Sequence, residues 1–352
     1  MMKPATRPAV IQLPGGTALR RTSILVTALA AFAALSACSP SDSSGSPPAS
    51  ATTGVTSAAA TPTSTAPPAV TGTPPAPTTS AAACRPTATT LAAGETTRLS
   101  LVSGGIERSY LLYVPPGYDG TAPIPLVLNF HGLGSNGAEQ HLYSRLVPLA
   151  ERERFLVASP DGINRAWLTN PGVNDITFTR DLAAEIARLT CVDEGRVYAT
   201  GMSNGGFMSA ALACFAGDLV AAVAPVAGLT GANRLCGDPV PFIEFHGTVD
   251  QVVPYEGGIL GPTGGGFEGV PTLMDTWAEF NGCGATPVER KVSDSVVFRE
   301  FQDCDVPTGH YVVAGGGHTW PGAINLGGRL GETTREISAA EIAWEFFKAN
   351  PR

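Results

Sequence analysis

Tyr198-Ala-Thr-Gly-Met-Ser-Asn-Gly-Gly-Phe207 decides how the rest of the chain is read. Val197, Tyr198 and Ala199 end a short apolar strand, Gly201-Met-Ser203-Asn-Gly205 follows, and small residues from Asn204 onward open a helix. That order is the one of a nucleophile elbow, a sharp strand-to-helix turn that lifts a serine hydroxyl clear of a sheet. Gly201 and Gly205 flank the serine where a side chain would collide with the neighbouring strand or the strained turn. The pentapeptide alone is weak, because a chain with 41 Gly in 352 residues contains G-x-S-x-G by chance about 0.3 times. Its context has to carry the reading.

Working outward, Thr97 to Leu101 and Arg108 to Val114 alternate in strand fashion around Gly104-Gly105, as an antiparallel hairpin does. Pro125 to Phe130 and Phe155 to Ser159 are continuous apolar runs, the pattern of strands covered on both faces. The spacing predicts a helix over 138 to 153 with Leu142, Leu146 and Leu149 on one face. Another starts at Asn174 or Asp175 and carries Phe178, Leu182, Ile186 and Leu189 as a stripe, and the elbow helix covers 204 to 216. Val220 to Val226, Pro241 to Phe245, Val296 to Phe301 and His310 to Val313 supply later strands. Residues 256 to 270 form a Gly-rich loop, 272 to 280 a helix, and Ser338 with Glu341 a capping box whose staple is Ile337 and Ile342. Strands alternating with helices predict an α/β fold, a mostly parallel sheet flanked by helices.

Composition divides the chain into three parts. Residues 1–37 hold Lys3, Arg7, Arg20 and Arg21 before an apolar run ending at Leu35-Ser-Ala-Cys38, the layout of an export signal with a lipobox that makes Cys38 the lipidated residue. An incidental cysteine after an ordinary signal is the alternative. Residues 38–83 are almost entirely Ser, Thr, Ala, Pro and Gly with one charge, Asp42, too little apolar surface to offset ordering entropy, hence a disordered tether. Residues 84–352 are long enough for one α/β catalytic domain. Removing residues 1–37 leaves 18 Lys and Arg against 30 Asp and Glu. A surface that acidic argues against nucleic acid as a partner. The expected location is outside the cell, lipid-anchored on the outer face of the membrane or secreted. Six further cysteines suit disulfides in an oxidising compartment, and no Cys or His cluster has metal-ligand spacing, so neither metal nor cofactor is expected. Position suggests Cys283 with Cys304, Cys191 with Cys214 and, by subtraction, Cys84 with Cys236.

A serine in an elbow needs a base, and the base needs a carboxylate. In a parallel sheet such groups sit in loops after strands. His141 falls in a helix, His310 starts a strand, and His131 and His246 abut glycines directly after strands, His131 reading as a loop-shaping residue. His318 alone occupies a loop after the last strand. Asp250, in the loop after Phe245, is the candidate acid, with Glu244 and Glu256 as alternatives. The order Ser203, Asp250, His318 is that of α/β-hydrolases. Backbone amides of Asn204 and Leu133 are placed to form an oxyanion hole. Trp320, with Trp167, Met202 and Tyr255, is the candidate substrate pocket, core packing being the alternative.

Phe130-His-Gly-Leu-Gly, Thr200-Gly-Met-Ser-Asn-Gly-Gly, His246-Gly-Thr-Val-Asp-Gln-Val-Val-Pro-Tyr255 and Gly316-Gly-His-Thr-Trp-Pro-Gly322 resemble the polyhydroxybutyrate depolymerase and feruloyl esterase group of secreted α/β-hydrolases. The resemblance spans 84 to 350. It implies a serine carboxylesterase with Ser203 as nucleophile, Asp250 as acid and His318 as base, and with the loop at His131 to Leu133 in the oxyanion hole. The expected substrate is a small or oligomeric ester of hydroxybutyrate type, attacked through an acyl-enzyme by a monomer. Feruloyl or acetylxylan esters of plant walls are the alternative substrates. A non-catalytic surface lipoprotein that keeps the fold for binding is the alternative of a different class.

Overall fold

The computed structural model describes residues 91–168, 174–261, 264–284 and 286–352. The export segment over 1–37, the tether over 38–83, Cys38 and Cys84 lie outside the described residues. β1 (Thr96–Ser103) and β2 (Ile106–Tyr113) make the expected hairpin, turning at Gly104 and Gly105, both at positive φ. β3 (Ile124–Phe130) is buried along its whole length.

The single helix expected over 138 to 153 is two. α1 (Gly137–Tyr143) and α2 (Leu146–Glu153) are separated by Ser144 and by Arg145 in the left-handed region at φ 58°. Pro148 explains the break, since its ring and missing N–H are tolerated only in a helix's first turn, where α2 places it. Leu146 and Leu149 still face the core, while the break leaves Leu142 80% exposed.

β4 (Leu156–Pro160), α3 (Asn174–Leu189), β5 (Val192–Met202), α4 (Asn204–Phe215), β6 (Ala222–Val226) and β7 (Phe242–Gly247) follow the expected alternation. The Gly-rich loop contains a short ribbon of β8 (Gly258–Ile259) and β9 (Gly266–Phe267) before α5 (Val270–Phe280). β10 (Val288–Lys291), β11 (Val296–Glu300) and β12 (Thr308–Val313) precede α6 (Ala339–Ala349). Ser338 caps α6 by accepting the Glu341 N–H at 3.3 Å, but the Glu341 carboxylate bonds Arg152 at 2.7 and 2.9 Å, so the capping box is half made.

These strands form one sheet in the order β1-β2-β4-β3-β5-β6-β7-β12-β11-β10. The central six, β4 to β12, run parallel, and antiparallel strands extend both edges. Leu126, Leu128 and Phe130 pack with the α3, α4 and α5 side, whereas Val127 packs with α2 and α6, because successive strand residues point to opposite faces. β4 lies on one side of β3 and β5 on the other. The chain therefore switches direction across the sheet between β3 and β5, the place where α/β sheets open a crevice at their carboxyl ends.

Between described residues, disulfides join Cys214 to Cys236 and Cys283 to Cys304. The second agrees with the sequence reading; the first replaces the expected Cys191–Cys214 and Cys84–Cys236 pairs. Cys214 ends α4, where its carbonyl accepts the Gly237 N–H at 2.9 Å and draws the loop after β6 against the helix. Cys191 lies instead beside β3, its carbonyl accepting the Ile124 N–H at 2.8 Å, and is itself disulfide-bonded.

Candidate active site

Ser203 sits between β5 and α4 at φ 57° and ψ −119°, a strained backbone for a residue with a side chain. Its N–H donates to the Val226 carbonyl at 2.8 Å, which ties the turn to β6. A Cβ on Gly201 would stand 2.6 Å from the Phe130 carbonyl oxygen, and one on Gly205 would strike that same carbonyl. Close approach of α4 to β3 therefore forces both glycines, as the sequence pattern anticipates.

His318 and Asp250 come together across 68 positions of sequence: Asp250 Oδ2 accepts from His318 Nδ1 at 2.7 Å. Asp250 Oδ1 takes the N–H groups of Val252 and Val253 at 2.7 and 2.9 Å, fixing the carboxylate plane. Burial opposes its charge, but the hydrogen bonds and charges of His246 and His318 outweigh it and hold the carboxyl well below the ordinary range. The alternatives do not reach His318 in this way. Glu256 is exposed, and Glu244 is fully buried beside other histidines.

Those histidines and Glu244 form a second buried cluster behind Asp250. His246 Nδ1 lies 2.8 Å from Glu244 Oε1, and its Nε2 lies 2.9 Å from the Val253 carbonyl and 3.4 Å from Asp250 Oδ2. His310 Nε2 is 3.1 Å from Glu244 Oε2. Burial works against a charge on His246, but Glu244 and Asp250 push its pKa up to about 10. Sequence position alone gives no sign of this group.

Ser203 and His318 line one cavity of about 520 Å³, floored by Gly132, Leu133 and Met202. Its walls are residues of α1, Arg145, and Ile324, Leu326 and Leu330 from the segment after β12. Of the four candidate pocket residues, Met202 lines this cavity. Trp320, Trp167 and Tyr255 are not walls of this cavity. Trp320 is 1% exposed in the core against α6, and Tyr255 stacks on His310 at 5.7 Å between ring centres.

Trp167 has a different place. Its Nε1 donates to the His131 carbonyl at 2.8 Å, its backbone N–H donates to Asn204 Oδ1 at 2.6 Å, and its carbonyl accepts from Asn204 Nδ2 at 3.1 Å. The Asn204 side chain thus clamps the backbone of Trp167, and the indole holds the strand end at His131. His131 Nε2 accepts the Gly162 N–H at 2.9 Å, so its Nδ1 carries the proton and donates to the Gly132 carbonyl at 2.8 Å. Burial lowers its pKa, keeping the ring neutral and local to the loop. Gly134 N–H to Arg165 O at 2.8 Å closes the other end, and Leu133 lies between. The Asn204 amide belongs to the first turn of α4, whose N–H groups have no partner within the helix. Leu133 thus lines the cavity with Ser203 from the loop after β3, and Asn204 follows Ser203 at the start of α4.

A serine at a strained strand-to-helix turn, a carboxylate-anchored histidine in the same cavity and a switched parallel sheet define the α/β-hydrolase class. Feruloyl esterase C of Emericella nidulans is 31% identical over 256 residues, covering 69% of this chain and 84% of the relative. The chain belongs to the esterase family that includes that enzyme, and it is a carboxylic ester hydrolase. Feruloyl esterase B of Piromyces equi is also 31% identical, over 227 residues, but the chain spans only 42% of its length. Acetyl xylan esterase from Aspergillus awamori shares the fold, with a TM-score of 0.51 at 16% identity over 63% of this chain and 94% of that one. No family model matches the chain.

Proposed function

We propose that Ser203 attacks the ester carbonyl, with His318 removing its proton and returning it to the leaving alcohol, and Asp250 holding the imidazole tautomer. The 2.7 Å contact from Asp250 to His318, in the cavity that holds Ser203, is the observation that carries this reading. The amides of Leu133 and Asn204 are the donors for the oxyanion of both tetrahedral intermediates. Water then attacks the acyl-enzyme by the same base.

For the ester, similarity to feruloyl esterases favours hydroxycinnamoyl esters of wall polysaccharides over the hydroxybutyrate esters that the sequence motifs put first. A local feature points the same way. Leu133, Leu142, Ile324 and Leu326 are each more than half exposed and all line the cavity, so a flat apolar acyl group would cover them. Acetate is too small to do so. Export and anchoring through Cys38 are part of the proposal; the Cys214–Cys236 and Cys283–Cys304 disulfides fit an oxidising compartment.

Incubation with a fluorophosphonate followed by peptide mapping, then turnover of methyl ferulate, nitrophenyl acetate and hydroxybutyrate trimers, tests both levels. Labelling confined to Ser203 and highest kcat/KM on ferulate are expected. Labelling elsewhere overturns the mechanism, and a tenfold preference for the hydroxybutyrates overturns the substrate.

A further inference from the structure

We infer that His246 is a permanently charged positioning residue that shares Asp250 with the base, with Glu244 as its counter-ion, and thereby extends activity toward acid pH. The inference rests on the proposed roles of Ser203, Asp250 and His318. Both nitrogens of His246 face acceptors only: Glu244 Oε1 on one side, the Val253 carbonyl and Asp250 Oδ2 on the other. A neutral ring has one N–H and would set a lone pair against one of those oxygens. In a site where His246 and Glu244 are at most 1% exposed, and where the two imidazoles hold Glu244 ionised against burial, the doubly protonated ring is the arrangement that turns no ring lone pair toward an oxygen.

The other groups around it leave that charge in place. On β12, His310 stands opposite Glu244 in register and reaches its second oxygen at 3.1 Å. Tyr255 stacks on His310 and lies tilted against His246, and burial raises its hydroxyl to about 12, so it stays neutral. Arg299, on β11, is paired in register with His310 and lies toward Tyr255 and Glu289, while Glu256 is exposed. Glu244, fully buried between two imidazoles, is the carboxylate that faces His246 without also facing His318.

The consequence falls on His318. A base must be unprotonated to accept the serine proton, and the Asp250 charge favours its protonated form. His246 shares the same Oδ2, at 3.4 Å against 2.7 Å for His318, so the two rings lie no more than about 6 Å apart nitrogen to nitrogen. A cation that close offsets part of the carboxylate field. The base then gives up its proton at a lower pH than Asp250 alone would allow.

The test compares pH profiles of kcat/KM on a neutral nitrophenyl ester for wild type, Glu244→Gln, His246→Gln and the double variant, with Ser203→Ala as the check on the underlying mechanism. Each single variant should move the acid limb up by about one pH unit, a fraction of the Coulomb limit at that separation. The double variant should move it no further, since Glu244 acts only through His246: without this counter-ion the ring gives up its proton, so all three variants leave no cation at position 246. Acid limbs that coincide with wild type in folded, active variants would refute the inference and leave the serine mechanism standing. If turnover survives in Ser203→Ala, the mechanism itself fails. Imidazole proton NMR of wild type at pH 8 decides independently of any variant's folding: two exchange-protected ring N–H signals from His246 are expected, and a single one overturns the inference.

Discussion

Asn204→Ala separates the two parts this residue plays. The substitution keeps the backbone amide proposed for the oxyanion hole and removes the side chain that holds the Trp167 backbone at 2.6 and 3.1 Å. Two neutral hydrogen bonds at about 1 kcal/mol each put the stability loss at about 2 kcal/mol. For a domain of this size that lowers Tm by about 6 °C. Catalysis is affected through position. Trp167 anchors the His131 carbonyl at 2.8 Å, one residue before the Gly132 and Leu133 floor of the cavity. Complete loss of one oxyanion donor typically costs about 3 kcal/mol. A donor loosened rather than deleted should lower kcat tenfold to a hundredfold, with KM changed less than threefold. Thermal melting with steady-state kinetics on nitrophenyl acetate measures both. A Tm fall without a kcat fall would mean that the clamp supports the fold but not the site, and no change in either would show that it carries no energy.

Other outcomes follow from single contacts. Gly205→Ala sets a methyl against the Phe130 carbonyl, with the His131 oxygen 2.8 Å away, and should give little folded protein on expression and circular dichroism. Replacing Cys214 and Cys236 together by Ser opens a link across 22 residues and should cost about 3 kcal/mol, read as a shift in guanidinium midpoint. Burial pushes the His141 ring down from 6.5 to about 4, so the folded state holds it neutral between Thr96 and Ser159. Stability should be unaffected above about pH 6.5 and fall as pH drops to about 4, by up to about 3 kcal/mol. Melting temperature against pH should be flatter for His141→Gln across that window.

What the sequence made legible is what backbone sterics force. The elbow needs glycines on both sides of Ser203, and a parallel sheet places partners in loops after strands, so Asp250 and His318 could be found by position. The terminal helix was legible through Ser338. Less visible was anything set by side chains meeting across the fold. Asn204 read as a backbone donor, and its carboxamide clamp on Trp167 spans 37 positions. Trp320 and Tyr255 are aromatics in the right segments, but which way each faces depends on packing against α6 and β12. β10 leaves no strand signature in the sequence because Glu289, Arg290 and Lys291 are exposed on the sheet edge, where charge blunts pairing with other chains and erases strand alternation. The break at Ser144 and Arg145 did have a signal, Pro148, which permits a helix to start there and forbids one to pass through.

That break also shapes the cavity. Chemistry is proposed for groups at the ends of β3, β5, β7 and β12, which the sheet holds at fixed spacing. Discrimination falls to Leu142 and Arg145, at the junction between α1 and α2, and to Ile324, Leu326 and Leu330 beyond β12. None of these belongs to a recognisable motif, and the side chains of Leu142, Ile324 and Leu326 stand largely in water. Covering such surface yields about 25 cal/mol per Å², so a group the size of a phenolic ring gains several times what a methyl group can. One methylene in such a pocket is worth about 1 to 3 kcal/mol. Two short segments can therefore redirect the enzyme among esters while Ser203, Asp250 and His318 stay where they are, which is why the elbow reveals the reaction class more readily than the substrate.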